Sequence, residues 1–443
     1  MSTFNQSPAY NLKAVLKETG LKADVLRAWE RRYELPHPQR TPGGHRLYSE
    51  YDIQTIKWLR ARQAEGLSIS RAVELWKEMA EAGSDPLEKY SPAKPHSTPE
   101  RLPVAGTRIE TLRNSWLQAV LAFDNLQADE ILNQAFAIYP VETVCAEILQ
   151  RGISLIGNEW LLDKASVQQE HFATALASRR LETLITATPQ PTRPQTVLLG
   201  CPPGEQHTFP VLLLNLLLRR RGLGVVYLGA NLPIDRLGET AASIQPRLIV
   251  LAAQHLPTAA TLQAAMLSLQ GMGISLAYGG LVFNRIPGLR SRIPATFLGE
   301  DLEDSIKLIE WLVSAPVTFS TDIRVDETYR DLARLYREKR HLVELTVMNS
   351  LHEPGMPTGL LGEANSFLGS GLSAALELGD PAFLEADLEW VKRLLTSRQM
   401  PGELLIPYLA AYSRGVRQAL GESGAPITRW MDACLTQNQP ETP

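Results

Sequence analysis

Four short apolar runs, TVLLG (196–200), GVVYLG (224–229), RLIVLAAQ (247–254) and SLAYGG (275–280), alternate with segments of helical apolar spacing. The intervening segments read PVLLLNLLLRRRG, PIDRLGETAASI and TLQAAMLSLQGMG, and IKLIEWLV follows the last run. Continuously apolar strands are buried on both faces, and strands joined through helices run parallel. Residues 194–318 are therefore expected to form a parallel, doubly wound sheet. Open sheets of this kind bind ligands outside the carboxyl ends of their strands. The first such end carries GCPPGEQHTFP, which places Glu205 two residues before His207. A carboxylate hydrogen-bonded to one imidazole nitrogen fixes the tautomer and makes the other nitrogen a better metal donor. Locally, a solvent-facing histidine remains the alternative. Gly229, Gly279 and Gly280 fall at further strand ends, where the lack of a side chain lets a bulky group approach the backbone.

The rest of the chain reads as helices and punctuation. With 443 residues and 44% apolar residues there is material for about three domains. Residues 8–80 are read as one compact unit, and 81–106, rich in proline, serine and charge, as a linker. Residues 107–190 show helical periodicity throughout, as do residues 326–435. The predicted architecture is thus multidomain α and α/β. It comprises a helix-turn-helix head, a four-helix-type cap, a Rossmann-like sheet domain and a C-terminal all-α domain.

Charge is unevenly distributed. Residues 1–80 hold 13 Lys and Arg against 9 Asp and Glu, whereas the whole chain is at −4. A basic head on an acidic body suits a polyanionic partner. Cys145, Cys201 and Cys434 are too scattered for a disulfide framework or a zinc site. The sequence shows neither an apolar run of about 18 residues nor a secretory signal pattern, so a cytoplasmic location is expected.

In the head, two helices flank Thr19-Gly20, and the second presents Lys22, Arg27, Arg31 and Arg32. RTPGGHRLY then sets Arg40, Thr41, His45, Arg46 and Tyr48 around a glycine turn, as a wing would. The stretch TGLKADVLRAWERRYELPHPQRTPGGHRLYSEYDI resembles the winged-helix DNA-binding domain of the MerR family. The resemblance implies a dimer on a two-fold-related double-stranded operator. It implies DNA contacts from Arg27, Arg31, Arg46 and Tyr48, with Trp29 and Leu47 in the small core, while Lys22, Arg40 and His45 are expected to join them from the basic helix and the glycine turn.

The sheet segment resembles the cobalamin-binding Rossmann-like domain, whose mark is an acid-x-His-x-x-Gly loop, a small-residue site after the third strand and Gly-Gly after the fourth. The resemblance implies that His207 is the lower cobalt ligand, with Glu205, Gly229, Ala253, Gly279 and Gly280 around the cofactor. This sequence departs from that pattern in two places. Pro210 stands where the loop glycine is expected, and Ala252 or Ala253 where a serine is usual. His255 is read as structural or exposed.

In NEWLLDKASVQQEHFATALASRRL, Trp160 is followed at +7, +10 and +11 by Val167, Glu170 and His171. This spacing resembles the cap of the CarH/LitR light-sensing repressors, in which these side chains face the upper, adenosyl side of the cofactor. The cofactor so implied is adenosylcobalamin. Light would cleave its cobalt–carbon bond, alter a dimer or tetramer, and change DNA affinity, without any enzymatic activity. Leu161 stands where those relatives carry a histidine. GDPAFLEADLEWVKRLLTSRQMPGELLIPYLAAYSRGVRQAL resembles the helical domain of photocobilins, which implies biliverdin as a second chromophore near Trp390, Tyr408, Tyr412 and His352, with Cys434 as an anchor. A helical oligomerisation module is the alternative. Two other functions remain open on sequence: a light-independent cobalamin-sensing regulator and a methyltransferase-type corrinoid subunit.

Overall fold

The computed structural model describes residues 7–19, 21, 23–40, 46–64, 67, 69–81, 85–87, 106–315, 326–351, 358–398, 400 and 404–437. The chain divides into two compact units, one of residues 1–160 with 165–190, the other of 161–164 with 191–443.

The first unit begins with the head. β1 (Tyr10–Asn11) leads into α1 (Leu12–Thr19) and α2 (Ala23–Tyr33). β2 (Gln39–Arg40) and β3 (Arg46–Tyr48) follow, then α3 (Glu50–Ala64) and α4 (Ile69–Glu81). The strands form an antiparallel sheet in the order β1-β3-β2, with Tyr10 opposite Tyr48 and Arg40 opposite Arg46. Val15, Leu26, Trp29, Ile56, Leu59 and Trp58 fill the core, where Trp58 and Trp76 meet edge to face with centroids 5.2 Å apart. The turn of the wing, residues 41–45, lies outside the described residues.

The cap of the same unit is α5 (Gly106–Leu121), α6 (Asn125–Ile138), α7 (Val141–Val144), a π-helical stretch Cys145–Gln150, α8 (Arg151–Leu161) and α9 (Val167–Thr186). Trp116 is fully buried, and a side chain at Gly152 would come within 2.7 Å of its ring. The glycine is what lets α8 approach this tryptophan. A capping box starts α9: Ser166 accepts from the Gln169 N–H, and the Gln169 side chain accepts from the Ser166 N–H.

The second unit contains the parallel sheet. Its chain order is β4 (Thr196–Gly200), α10 (Phe209–Arg220), β5 (Gly224–Tyr227), α11 (Leu237–Ile244), β6 (Leu248–Ala252), α12 (Leu256–Leu269) and β7 (Ser275–Gly279). α13 (Leu281–Arg285), β8 (Thr296–Phe297) and α14 (Leu302–Ser314) complete it. The strand order is β5-β4-β6-β7-β8, all parallel. Val197, Leu198 and Leu199 have no exposed surface, as their unbroken apolar run requires. The connection reverses direction at β4, so the crevice between the ends of β4 and β6 is the place for a ligand.

Two local features differ from expectation. The helix expected over PIDRLGETAASI starts only at Leu237. The preceding loop gives its N–H groups to the His207 loop instead: Asn231 donates to the Glu205 carbonyl at 3.1 Å and Leu232 to that of Cys201 at 3.0 Å. β8, two residues long, adds a fifth strand that no sequence run announces.

α15 (Glu327–Leu351), α16 (Thr358–Glu377), α17 (Glu385–Ser397), α18 (Leu405–Leu420) and α19 (Ala425–Gln437) follow the sheet. α12 packs on α16, and one apolar core runs from β4, β6 and α12 through to Leu372, Tyr412 and Met431.

Candidate functional site

On α2 the structure exposes Arg27 and Arg31. Among the described residues Arg27 makes a 3.8 Å ion pair with Asp24, itself nearly fully exposed. Arg46 and Tyr48 are different. The Arg46 Nε donates to Glu30 Oε2 at 2.8 Å and the Tyr48 hydroxyl to Glu30 Oε1 at 2.5 Å. Tyr48 has no exposed surface, so its assignment as a DNA contact is corrected: it is a core residue. Burial and the bond to Glu30 raise its hydroxyl pKa well above the usual phenol range. Glu30, which the sequence reading passed over, pins the hairpin to α2. A carboxylate inside the basic run AWERRY was the available signal. Lys22 and His45 lie outside the described residues, as does the side chain of Arg40.

In the cap, Trp160 is half-buried near the end of α8. Val167, Glu170 and His171 stand at i, i+3 and i+4 of α9 and so share one face. Val167 is 42% exposed, and Glu170 accepts from the Thr174 hydroxyl at 2.9 Å. The His171 Nε2 lies 3.7 Å from Glu170. Leu161 offers no donor atom.

At the switch point of the sheet, Glu205 is 1% exposed and accepts four hydrogen bonds. Oε1 takes the His207 N–H at 2.9 Å and ring Nδ1 at 2.7 Å. Oε2 takes the Gln254 N–H and the Thr258 hydroxyl, both at 2.7 Å. Burial alone would raise the carboxyl pKa, but the bonds from His207, Gln254 and Thr258 outweigh it and hold the group at about 2. Glu205 is therefore an anion at neutral pH, and the His207 tautomer carries its proton on Nδ1 and its lone pair on Nε2. Burial first, and then the charge of Glu205, push the Cys201 thiol up to about 12, which removes it as a thiolate donor. Pro210 sits in the first turn of α10, where a missing N–H costs nothing.

The residues fit a bulky planar ligand. A Cβ at Gly229 or Gly279 would meet no atom within 4 Å, so both border open space. Gly280 is held differently: at φ +121, a Cβ there would fall 1.9 Å from the Ala253 carbonyl oxygen. Ala253 itself is fully buried and contributes its backbone, donating to the Gly279 carbonyl at 3.1 Å. Its side chain is a packing group, which corrects its place among the cofactor contacts. Gln254 and Thr258 emerge as members of the site that sequence reasoning missed. The Gln254 Oε1 accepts from the Leu281 N–H at 3.0 Å, while its buried Nε2 has no partner among the described residues.

In the C-terminal helices, Tyr408 and Tyr412 are buried at 5% and 0% exposure. Their hydroxyls bond to Asn365 at 2.9 Å and to Tyr336 at 2.5 Å, so they fill the core rather than line a pocket. Cys434 is buried and its thiol pKa raised by burial, against a role as anchor. Trp390 stacks on Phe367, which is 42% exposed. His352 lies outside the described residues.

A winged-helix head followed by a helical cap and a sheet domain with a histidine poised at its switch point defines a class: DNA-binding regulators with a B12-binding module. Comparison with known proteins agrees. Residues 10–78 match the MerR HTH family regulatory proteins and residues 112–185 the B12 binding domain. The HTH-type transcriptional repressor CarH of Myxococcus xanthus is 30% identical over 248 residues, 55% of this chain and 78% of that protein. CarA of the same organism is 30% identical over 243 residues, 54% of this chain and 75% of its own. The Methanosarcina barkeri monomethylamine corrinoid protein superposes at a TM-score of 0.40 and 17% identity, covering 46% of this chain and 96% of its own. The chain belongs to the MerR family, as a cobalamin-binding regulator of the CarH type. Among the described residues no helix is long and apolar enough to cross a membrane.

Proposed function

We propose that this protein is a light-responsive transcriptional regulator, not an enzyme, that holds adenosylcobalamin through His207. The observation that carries the proposal is the buried Glu205 carboxylate bonded to His207 Nδ1 at 2.7 Å. Bound adenosylcobalamin would supply a cobalt–carbon bond that visible light breaks. Glu205 fixes the imidazole so that Nε2 is the donor, and Gly229 and Gly279 leave room beside the strand ends for the corrin. By the resemblance of their spacing, Trp160, Val167, Glu170 and His171 of the cap are the residues that would serve the adenosyl group. With the adenosyl group bound these cap side chains would pack against it, and without it the favoured self-association of the chain, as dimer or tetramer, would differ. Two linked heads on a double-stranded operator bind far more tightly than one, so assembly sets DNA affinity. Arg27 and Arg31 supply phosphate contacts from α2.

The test is the absorption spectrum, size-exclusion profile and operator binding of protein loaded with adenosylcobalamin, before and after green light. Identical assembly and DNA binding in both states would leave a light-independent cobalamin sensor. His207→Ala should abolish the histidine-ligated spectrum, and its retention would overturn the ligand assignment. A second chromophore, biliverdin, is favoured by one observation, the exposed Phe367 ring stacked on the half-buried Trp390, a surface suited to a flat conjugated molecule. A red-absorbing band on addition of biliverdin, lost in Trp390→Ala, is the expected result.

A further inference from the structure

The parallel sheet has a second end, opposite the strand ends that frame the cofactor site. Three segments meet there: the approach to β4, the turn from α10 into β5, and the approach to β6. The Thr192 and Arg193 N–H groups donate to the Gly222 carbonyl at 3.0 and 2.9 Å. The Gly224 N–H donates to the Gln195 carbonyl at 3.1 Å, and the Arg247 N–H to that of Thr196 at 2.8 Å. Gly222, at φ +80, permits the first of these contacts, because a Cβ there would lie 2.2 Å from the Thr192 hydroxyl oxygen. The bonds gather Arg193, Arg219, Arg220, Arg221 and Arg247 at one end of the sheet.

Charge is segregated along the strands. Residues 191–315 contain ten Lys and Arg and eight Asp and Glu. Five of the ten are the arginines at this end, whereas seven of the eight acids follow the carboxyl ends of β4, β5 and β8. The eighth, Glu310 on α14, lies 3.1 Å from Arg193 and 4.0 Å from Arg221, one carboxylate between two guanidinium groups. Cations in the last turn of a helix complement its dipole, which accounts for Arg219 and Arg220 on α10. It does not account for Arg193 and Arg247, which lead into strands. Arg220 and Arg247 are exposed. Adjacent strands lie about 4.8 Å apart, so the neighbouring β5, β4 and β6 set these charges along a row of roughly 10 Å. Duplex DNA carries one negative charge per about 1.7 Å of its axis, so a row of that length faces several of them. All five cations are arginine, whose planar fork matches phosphate oxygens.

We propose that this end of the sheet is a second contact for double-stranded DNA, holding the phosphate backbone beside the site that the head reads. Each arginine that meets a phosphate releases condensed counterions, so the contact adds affinity and salt dependence without discriminating bases. Trp311, the residue after Glu310, is 52% exposed, and a tryptophan beside arginines also suits a protein partner. The cations brought in by three separate segments, against one carboxylate, favour the polyanion. The contact involves no residue of the cofactor site and holds with or without corrinoid.

The experiment measures binding of the full chain to a long random-sequence duplex by fluorescence anisotropy, between about 50 and 200 mM salt. The double variant Arg220→Ala/Arg247→Ala is compared with wild type and with Arg236→Ala, an exposed cation that starts α11 beyond the opposite end of β5. The same pair is also introduced into Arg27→Ala/Arg31→Ala. We expect the pair to lower the slope of log affinity against log salt by about 2 in both backgrounds, at roughly 0.9 per phosphate contact. Arg236→Ala should leave the slope as in wild type. Circular dichroism should show wild-type helicity for the double variant, since both side chains are exposed. An unchanged slope in the folded double variant overturns the proposal, and a shifted size-exclusion profile in its place makes the face a protein contact. A loss of slope that needs Arg27 and Arg31 intact means that the sheet arginines act through the head, which overturns it equally.

Discussion

Replacing Glu205 with glutamine keeps the shape of the side chain and removes its charge. Four donors converge on the carboxylate at 2.7–2.9 Å, and the residue is 1% exposed. An amide has one acceptor oxygen, so two donors would face an NH2 group. The native group titrates at about 2 against an ordinary 4.5. At about 1.4 kcal/mol per pKa unit, that difference corresponds to roughly 3 kcal/mol of stabilisation. The sign follows from the direction. The folded pKa is depressed, so the contribution is present above the unfolded value and lost as pH falls through the folded one. For a unit of this size, roughly 3 kcal/mol lowers the melting temperature by about 6–12 °C. Differential scanning calorimetry at pH 7 reads the shift, and the same melts between pH 5 and pH 2 should converge. The histidine-ligated cobalt spectrum should weaken in parallel, because the tautomer of His207 is no longer fixed. Equal melting of Glu205→Gln and wild type at pH 7, with an intact spectrum, would refute the assignment of Glu205 as the anchor.

Gly280→Ala should cost at least about 2 kcal/mol in thermal melts, from the overlap with Ala253 and a backbone region open only to glycine. Gly279→Ala should melt like wild type, since a Cβ there meets nothing, yet bind cobalamin more weakly in equilibrium dialysis. Arg27→Ala and Arg31→Ala should each weaken binding to any duplex and lower the slope of log affinity against log salt by about 1, measured by fluorescence anisotropy. Tyr48→Phe should destabilise the head by about 1.5–3 kcal/mol, the range for a bond to a charged partner. DNA affinity of the folded protein at low temperature should stay unchanged, because Tyr48 is buried.

The parallel sheet was legible because β4 and β6 are buried on both faces and so carry unbroken apolar runs, while β8 is two residues of edge strand with no pattern to read. The Glu205–His207 pair was legible because its partners are two residues apart. Gln254 and Thr258 were not, since they reach Glu205 across 49 and 53 residues through the adjacency of β4 and β6. The same limit explains Tyr48. Its place in the wing suggests an outward side chain, and only the fold brings Glu30 from α2 beneath it. Tyr408 and Tyr412 show the reverse case: aromatic polar residues on a helix read equally well as pocket or core, and their bonds to Asn365 and Tyr336 settle the matter.

α12 occupies a particular position in this arrangement. Its first turn donates the Thr258 hydroxyl to Glu205, and its body packs on α16. At the neighbouring strand end, Arg285, six residues after Gly279, is tied to Asp387 on α17, and Arg292 lies over the Phe383 ring at 5.9 Å. The C-terminal helices therefore hold the same two segments, after β6 and after β7, that frame the cradle for the cofactor. A close-packed interior transmits displacement instead of absorbing it. Any movement of α12 that accompanies a change at His207 must be met by α16 or opposed by it. The C-terminal helices are thus part of the energetics of the ligand site, whatever they bind themselves.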